Sequence, residues 1–265
     1  GYVLSEEEIA VTIGKVDEVV EIELVNYFIK GNIALTKVDE DYPDNKLSGA
    51  VFEVYSDTNG DGKLDKDDTL LGEMKELDGG VYQMSELRYG KYLVKETKAP
   101  TGFVLDENVY SVSVEENGKT YTVENKAGVG FINAAQKGSL KIVKTSSDGK
   151  VEGFSFRVTG VDYDQTFKTD KNGEIVIEGL RIGDYTVSEV SDKASAGYIL
   201  PADKQVTVKV DATAIVQMHN EFRDTPKTGD DFNLGLWVSL AALSVVGAGV
   251  LGFVGYKNRK KKKED

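Results

Sequence analysis

The chain has no cysteine, four prolines and a single histidine among its 265 residues. Without thiols no disulfide can brace the fold, and no cysteine nucleophile or thiolate metal site exists. The lone histidine, His219, stands beside Asn220 with its side chain on the opposite face of a strand, which makes it a surface residue. No glycine-rich phosphate loop and no other catalytic constellation is present. Positive charge is also short. Lys and Arg number 32 against 45 Asp and Glu, a net charge of −13, and no basic aromatic face exists. Nucleic acid is therefore excluded as a partner. What is abundant is glycine, 28 residues, with Val, Ile, Thr, Tyr and Phe set between Asn-Gly and Asp-Gly pairs. That composition predicts an all-β protein with many turns.

An N-terminal secretion signal is missing too, yet the C-terminus points outside the cell. Residues 234–256 carry no charge and "KNRKKKKED" follows, six basic residues in nine. As a helix the apolar run is roughly 35 Å long, enough to cross a hydrocarbon core of about 30 Å. The positive-inside rule keeps the basic tail in the cytosol and everything before Asp231 outside. The expectation is a C-terminal fragment of a longer secreted precursor.

The chain repeats itself. "LRYGKYLVKETKAPTGFVL" (87–105) has a degenerate copy in "LRIGDYTVSEVSDKASAGYIL" (180–200), with Leu87, Gly90, Tyr92 and Glu96 spaced to match Leu180, Gly183, Tyr185 and Glu189. The opening strand recurs as well, Ile33, Leu35 and Lys37 against Leu140, Ile142 and Lys144. Two homologous units follow, over 31–137 and 138–224, each with strands enough for a small β-sandwich. A broken third copy opens the chain, where "GYVL" (1–4) matches "GFVL" and "GYIL". Residues 1–30 are then the last strands of an upstream unit. Alone they cannot bury an apolar face, so poor order is expected there.

Strand phase raises the central question. Lys37 shares a face with Ile33 and Leu35, because side chains alternate with a period of two. A buried ammonium is costly unless it pairs, loses its charge or reacts. Glu96 is in phase with Tyr92 and Val94, and Glu189 with Tyr185 and Val187. Asn133 is in phase with Val129 and Phe131, Asn220 with Val216 and Met218, and Asn26 with Val20, Ile22 and Leu24. Asn125 competes with Asn133, being in phase with Tyr121 and Val123. Interval favours Asn133: it precedes Gly138 and Lys144 as Asn26 precedes Gly31 and Lys37. Each complete unit thus aims one Lys, one Glu and one Asn at its core. The plainer alternative is an ion pair or an edge lysine reaching water.

"LTKVD" and "IVKTS", "YLVKETKAPTGF" and "YTVSEV…GYIL", then "FIN" and "MHN" together resemble the Cna B-type (SpaA-type) repeat of Gram-positive surface proteins and pilins. The resemblance implies tandem Ig-like, prealbumin-like β-sandwiches followed by one transmembrane helix. It also implies intramolecular isopeptide bonds, Lys37–Asn133 promoted by Glu96 and Lys144–Asn220 promoted by Glu189. Asn26 would belong to a bond whose other members lie outside the chain. The chemistry suits these residue types. Burial favours a neutral, nucleophilic amine and a protonated acid, and the acid can polarise the amide and pass a proton to departing ammonia. The second unit departs from the pattern, with "DKASA" where the first has "KAP".

Two further motifs stand out. In "SDTNGDGKLDKDD" (56–68), Asp57, Asn59, Asp61, Asp65 and Asp68 fall at positions 1, 3, 5, 9 and 12 of an EF-hand-type loop. Gly62 allows the sharp turn and Lys63 lends its carbonyl, so a structural Ca²⁺ is expected; an ion-free acidic hairpin is the alternative. "TPKTGD" (225–230), the apolar span and the basic tail resemble the LPxTG-type cell-wall sorting signal. Pro226, Thr228 and Gly229 match, Lys227 fills the free position, and Thr225 replaces leucine. By that resemblance a sortase cleaves between Thr228 and Gly229 and passes the acyl group to a peptidoglycan cross-bridge amine; a permanent membrane anchor is the alternative.

The expected role is therefore a structural one and not an enzyme's. Cross-linked modules would form a rigid stalk on the wall of a Gram-positive bacterium, presenting an upstream adhesive region to a host or matrix ligand. A basal or minor pilin, or the stalk of a wall-bound enzyme with an upstream catalytic domain, are the alternatives.

Overall fold

A computed structural model describes residues 1–223. Their regular elements are all β-strands, in two modules with separate apolar cores. The first module contains β1 (Lys30–Asp39), β2 (Val51–Ser56), β3 (Thr69–Glu73), β4 (Lys75–Glu76), β5 (Val81–Arg88), β6 (Gly90–Lys98), β7 (Val109–Val114), β8 (Thr120–Thr122) and β9 (Phe131–Asn133). The second contains β10 (Lys137–Ser146), β11 (Ser155–Gly160), β12 (Tyr163–Lys168), β13 (Glu174–Arg181), β14 (Gly183–Val190), β15 (Tyr198–Ile199), β16 (Lys204–Val208) and β17 (Thr213–Phe222).

Each module is a sandwich of two sheets. One sheet carries the order β4-β5-β1-β8 with β9 also on β1, and faces β3-β2-β6-β7. The second module repeats this as β13-β10-β17-β15 and β12-β11-β14-β16. The alternation read from the sequence puts Ile33, Leu35, Phe52, Val54, Tyr92 and Val94 into the first core. Leu140, Ile142, Phe156, Val158, Tyr185 and Val187 take the same places in the second.

The repeated motifs have local physical causes. Tyr92 donates its hydroxyl to the Arg88 carbonyl at 2.6 Å, and Tyr185 donates to the Arg181 carbonyl at 2.8 Å. These bonds lock the β5–β6 and β13–β14 corners, which explains the matched Leu-Arg-x-Gly-x-Tyr spacing. Gly31 and Gly138 recur because a Cβ there would meet the Lys119 carbonyl at 2.8 Å and the Lys209 carbonyl at 2.1 Å. Only glycine lets the first strand pass so close to its neighbour.

In both modules the first strand runs parallel to the last. β10 and β17 pair without a break from Ser139↔Thr213 to Ser146↔Asn220. In the first module that last strand is split: β8 pairs with Asn32–Ala34 and β9 with Lys37–Asp39.

Residues 1–29 make one antiparallel bridge, Tyr2 to Phe28, with the two rings stacked 4.7 Å apart. The strand phase read for Asn26 is not realised. Val20, Ile22 and Leu24 are exposed and pair with no strand, because no second sheet is there to receive them. The sorting motif Thr225–Gly229 and the apolar span 234–256 lie outside the described residues. Among the described residues no helix is long and apolar enough to cross a membrane.

Candidate functional site: a lysine, glutamate and asparagine at the core of each module

Register decides which side chains meet. Lys37 lies opposite Phe131 on β9, and Asn133 is two residues further along the same face. Lys144 lies opposite Met218 on β17, with Asn220 again two residues on. Glu96 and Glu189 come from the facing sheet, on β6 and β14. The three strands named from phase therefore deliver their polar residues to one place inside each sandwich.

In the first module all three are shut away from water: Lys37 and Glu96 are 0% exposed and Asn133 3%. The Lys37 amine lies 4.0 Å from Glu96 Oε1 and donates to the Phe131 carbonyl at 3.0 Å. Asn133 Nδ2 donates to both Glu96 oxygens at 2.9 Å. Asn125, the competing residue, sits in the gap between β8 and β9. Its amide is spent on the Ile132 backbone and the Asp106 carboxylate. It staples the split strand; Asn133 is the amide against the glutamate.

Burial shapes the protonation of this group. Desolvation pulls the Lys37 amine down to about 8, although Glu96, Asp106 and Asp39 oppose it. Burial pushes the Glu96 carboxyl up, against hydrogen bonds from the Asp106 backbone and Asn133. Both shifts favour the uncharged forms. The same directions hold in the second module, where burial lowers the Lys144 amine and raises the Glu189 carboxyl.

The second module is arranged more loosely. Asn220 Nδ2 donates to Glu189 Oε1 at 2.7 Å. The Lys144 amine instead donates to the Thr145 carbonyl at 2.5 Å and stands 4.1 Å from the Phe154 ring centre.

One difference between the modules was not foreseen from the sequence. In the first, the Asp106 backbone N–H donates to Glu96 Oε2 at 2.9 Å. "GFVLD" of the first module aligns with "GYILP" of the second, so Pro201 occupies the place of Asp106. Proline has no N–H, and Glu189 Oε2 is left without a partner. The signal was present in that one-letter change, but nothing in the sequence placed residue 106 against residue 96.

Among the described residues, the buried side-chain polar atoms lacking any partner are Asn133 Oδ1, Asn220 Oδ1 and Glu189 Oε2. All three belong to these trios. Orphaned buried polar atoms are rare in folded proteins and point to a role other than packing. Turning either amide about its Cβ–Cγ bond brings Oδ1 to the glutamate, where a protonated carboxyl can donate to it. A groove of about 370 Å³ lined by Asp106, Tyr110, Asn125 and Asn133 lies beside the first trio.

The acidic loop between β2 and β3 is folded back on itself. Asp57 accepts from the Gly60 and Gly62 N–H groups, Asn59 from Asp61, Asp61 from Lys63, and Asp68 from Thr58 and Asp65. Among the described residues no three carboxylates are gathered closely enough to hold an ion. Lys63 stands at the seventh loop position, with its own N–H bonded to Asp61.

The family model of the SpaA prealbumin-like fold domain matches residues 31–127 and 138–222. No curated protein matches the chain. Among solved structures it is similar to the Bacillus anthracis TIE protein, with 25% identity and a TM-score of 0.57 over 76% of this chain. The chain spans 35% of that protein's length. It is also similar to GBS52, the minor pilin of Streptococcus agalactiae (17% identity, TM-score 0.34, 76% of this chain and 99% of that one). A third is the shaft pilin SpaA of Lactobacillus rhamnosus GG (14%, 0.33, 73% and 98%). With both modules matched, more than half of its length, this chain belongs to the SpaA prealbumin-like fold domain family.

Proposed function

We propose that the two modules are closed by autocatalytic isopeptide bonds, Lys37–Asn133 and Lys144–Asn220, and serve as a stalk on the bacterial surface. The observation that carries this reading is the confinement of the orphaned buried polar atoms to the two trios. The neutral amine attacks Cγ of the asparagine while the protonated glutamate donates to Oδ1. The Cγ–Nδ2 bond then breaks, and ammonia leaves with the proton given up by the amine. The product is an uncharged secondary amide, which removes the cost of burying an ammonium. Proximity within the folded core replaces a bimolecular encounter and lowers the barrier by about 7–11 kcal/mol where the geometry is good.

A tie between the first and last strands routes tension past the intervening strands. That property suits a stalk attached at its C-terminus by sortase cleavage after Thr228, with the acyl group passed to a cell-wall amine. The region upstream would carry the adhesive function. Ca²⁺ would stiffen the β2–β3 loop, using Asp57, Asn59, Asp61, the Lys63 carbonyl, Asp65 and Asp68. Gly62 holds the left-handed turn this needs, with φ of 75°. Each carboxylate keeps acceptor sites beyond those engaged by the loop N–H groups.

Intact mass of the full chain tests the central claim. Two ammonia masses are expected to be missing, and Glu96→Ala and Glu189→Ala should each restore one. A chain of unmodified mass refutes it. Incubation with sortase and a wall-type amine tests the anchor separately: Thr228→Ala should abolish transfer. High-mass ladders in wall extracts would instead favour pilus assembly.

A further inference from the structure

The two modules are joined by more than the three residues between β9 and β10. Arg181, at the end of β13, reaches back to the first module and grips Asp39 with both ends of its guanidinium, Nη1 to Oδ2 at 2.7 Å and Nη2 to Oδ1 at 2.8 Å. Nη2 also donates to Asp41 Oδ2 at 3.0 Å, and the Lys137 amine lies 3.2 Å from that oxygen. The guanidinium carbon sits 4.9 Å from the Tyr42 ring centre. The pair is sheltered, with Asp39 3% and Arg181 15% exposed at the side chain. Backbone bonds extend the joint: Ile182 N–H donates to the Gln136 carbonyl, and Gln136 N–H to the Gly102 carbonyl.

The backbone and arginine–ring parts of this joint recur, without a carboxylate pair, at the other end of the first module. Tyr89 N–H donates to Ile29, Ile29 N–H donates to Gly1, and the Arg88 guanidinium stands 4.0 Å over the Phe28 ring. Arg88 and Arg181 occupy the same repeat position.

We propose that Arg181 with Asp39 and Asp41 forms a lock that fixes the angle between consecutive modules. The surface it fits is a neighbouring module carrying carboxylates two and four residues beyond its buried first-strand lysine. Asp39 lies two residues after Lys37 on β1, so the lock ties the second module directly to the strand that bears the reactive amine. The three-residue linker is itself held against the first module, Ala135 bridging Phe103. The bidentate pair adds a second, distant point of attachment that sets direction as well as distance. In the second module Ser146 takes the place of Asp39, so its own far end offers no matching carboxylate at that position. None of this depends on the isopeptide bonds.

The absence of cysteine makes the test direct. Nitroxides placed by Lys98→Cys and Lys204→Cys, one exposed site per module, report the inter-module distance in the full chain held in detergent micelles. Double electron–electron resonance should give one narrow distance for the parent. Arg181→Ala should lose that single distance and give a broad distribution. The isosteric pair Asp39→Asn with Asp41→Asn should broaden it equally, and combining all three should add nothing further. A narrow, unchanged distance in Arg181→Ala overturns the proposal. So does broadening by Arg181→Ala alone, since the arginine would then act by packing on the rings.

Discussion

Replacing Glu96 with glutamine keeps the shape of the side chain but removes the acid that can hand over a proton. The first module should then fold with Lys37 and Asn133 unjoined. The lost bond would have closed a loop of about 100 residues between these positions, which in the chain-entropy account stabilises by about 4.7 kcal/mol. Each kilocalorie moves the midpoint of a domain of this size by about 4–8 °C, so the first module should melt roughly 20–35 °C lower. Scanning calorimetry of the full chain reads this as one transition falling while the other stays. Intact mass on the same sample must show one ammonia restored. If Glu96→Gln retains the ammonia and still melts like the parent, the ring contributes nothing to stability; if the parent retains it too, the trio packs without reacting.

Three other perturbations have definite outcomes. Asn133→Ala leaves Lys37 buried and unjoined, with its amine drawn down to about 8 by burial. The folded state then holds fewer protons than the unfolded one between that value and the ordinary lysine range. Stability should therefore rise with pH from about 8 toward about 10.5, a slope seen by urea melts and absent from the cross-linked parent. Burial raises the Glu96 carboxyl, so in the same variant stability is full in acid and falls as pH rises through its folded value. Pro201→Ala restores an N–H opposite the orphaned Glu189 Oε2. It should favour the charged carboxylate and slow the ammonia loss of the second module at neutral pH, followed by time-resolved intact mass after refolding. Millimolar Ca²⁺ should raise the first module's melting temperature, and Asp57→Ala should abolish that rise; equal shifts in both would exclude a site in this loop.

Strand periodicity was legible without any structure. Because side chains alternate strictly, the in-phase Lys37 and Lys144 had to share a face with their apolar neighbours, and the repeat supplied matching acids and amides. Residues 20–26 carry a phase as well, but no second sheet receives it among the described residues. A strand acquires an inside only when something packs against it. Tertiary structure alone decided the remaining points. It set Asn125 to staple a split strand and Asn133 to face Glu96. It brought the backbone of residue 106 to Glu96 and left Glu189 Oε2 without a partner. It joined Arg181 to Asp39 across 142 residues. The Asn133–Glu96 and Arg181–Asp39 contacts join strands far apart in the chain, and the nearer ones depend on where the loops after β6 and β8 turn back. Sheet register and sandwich closure decide them, and local spacing carries no record of either.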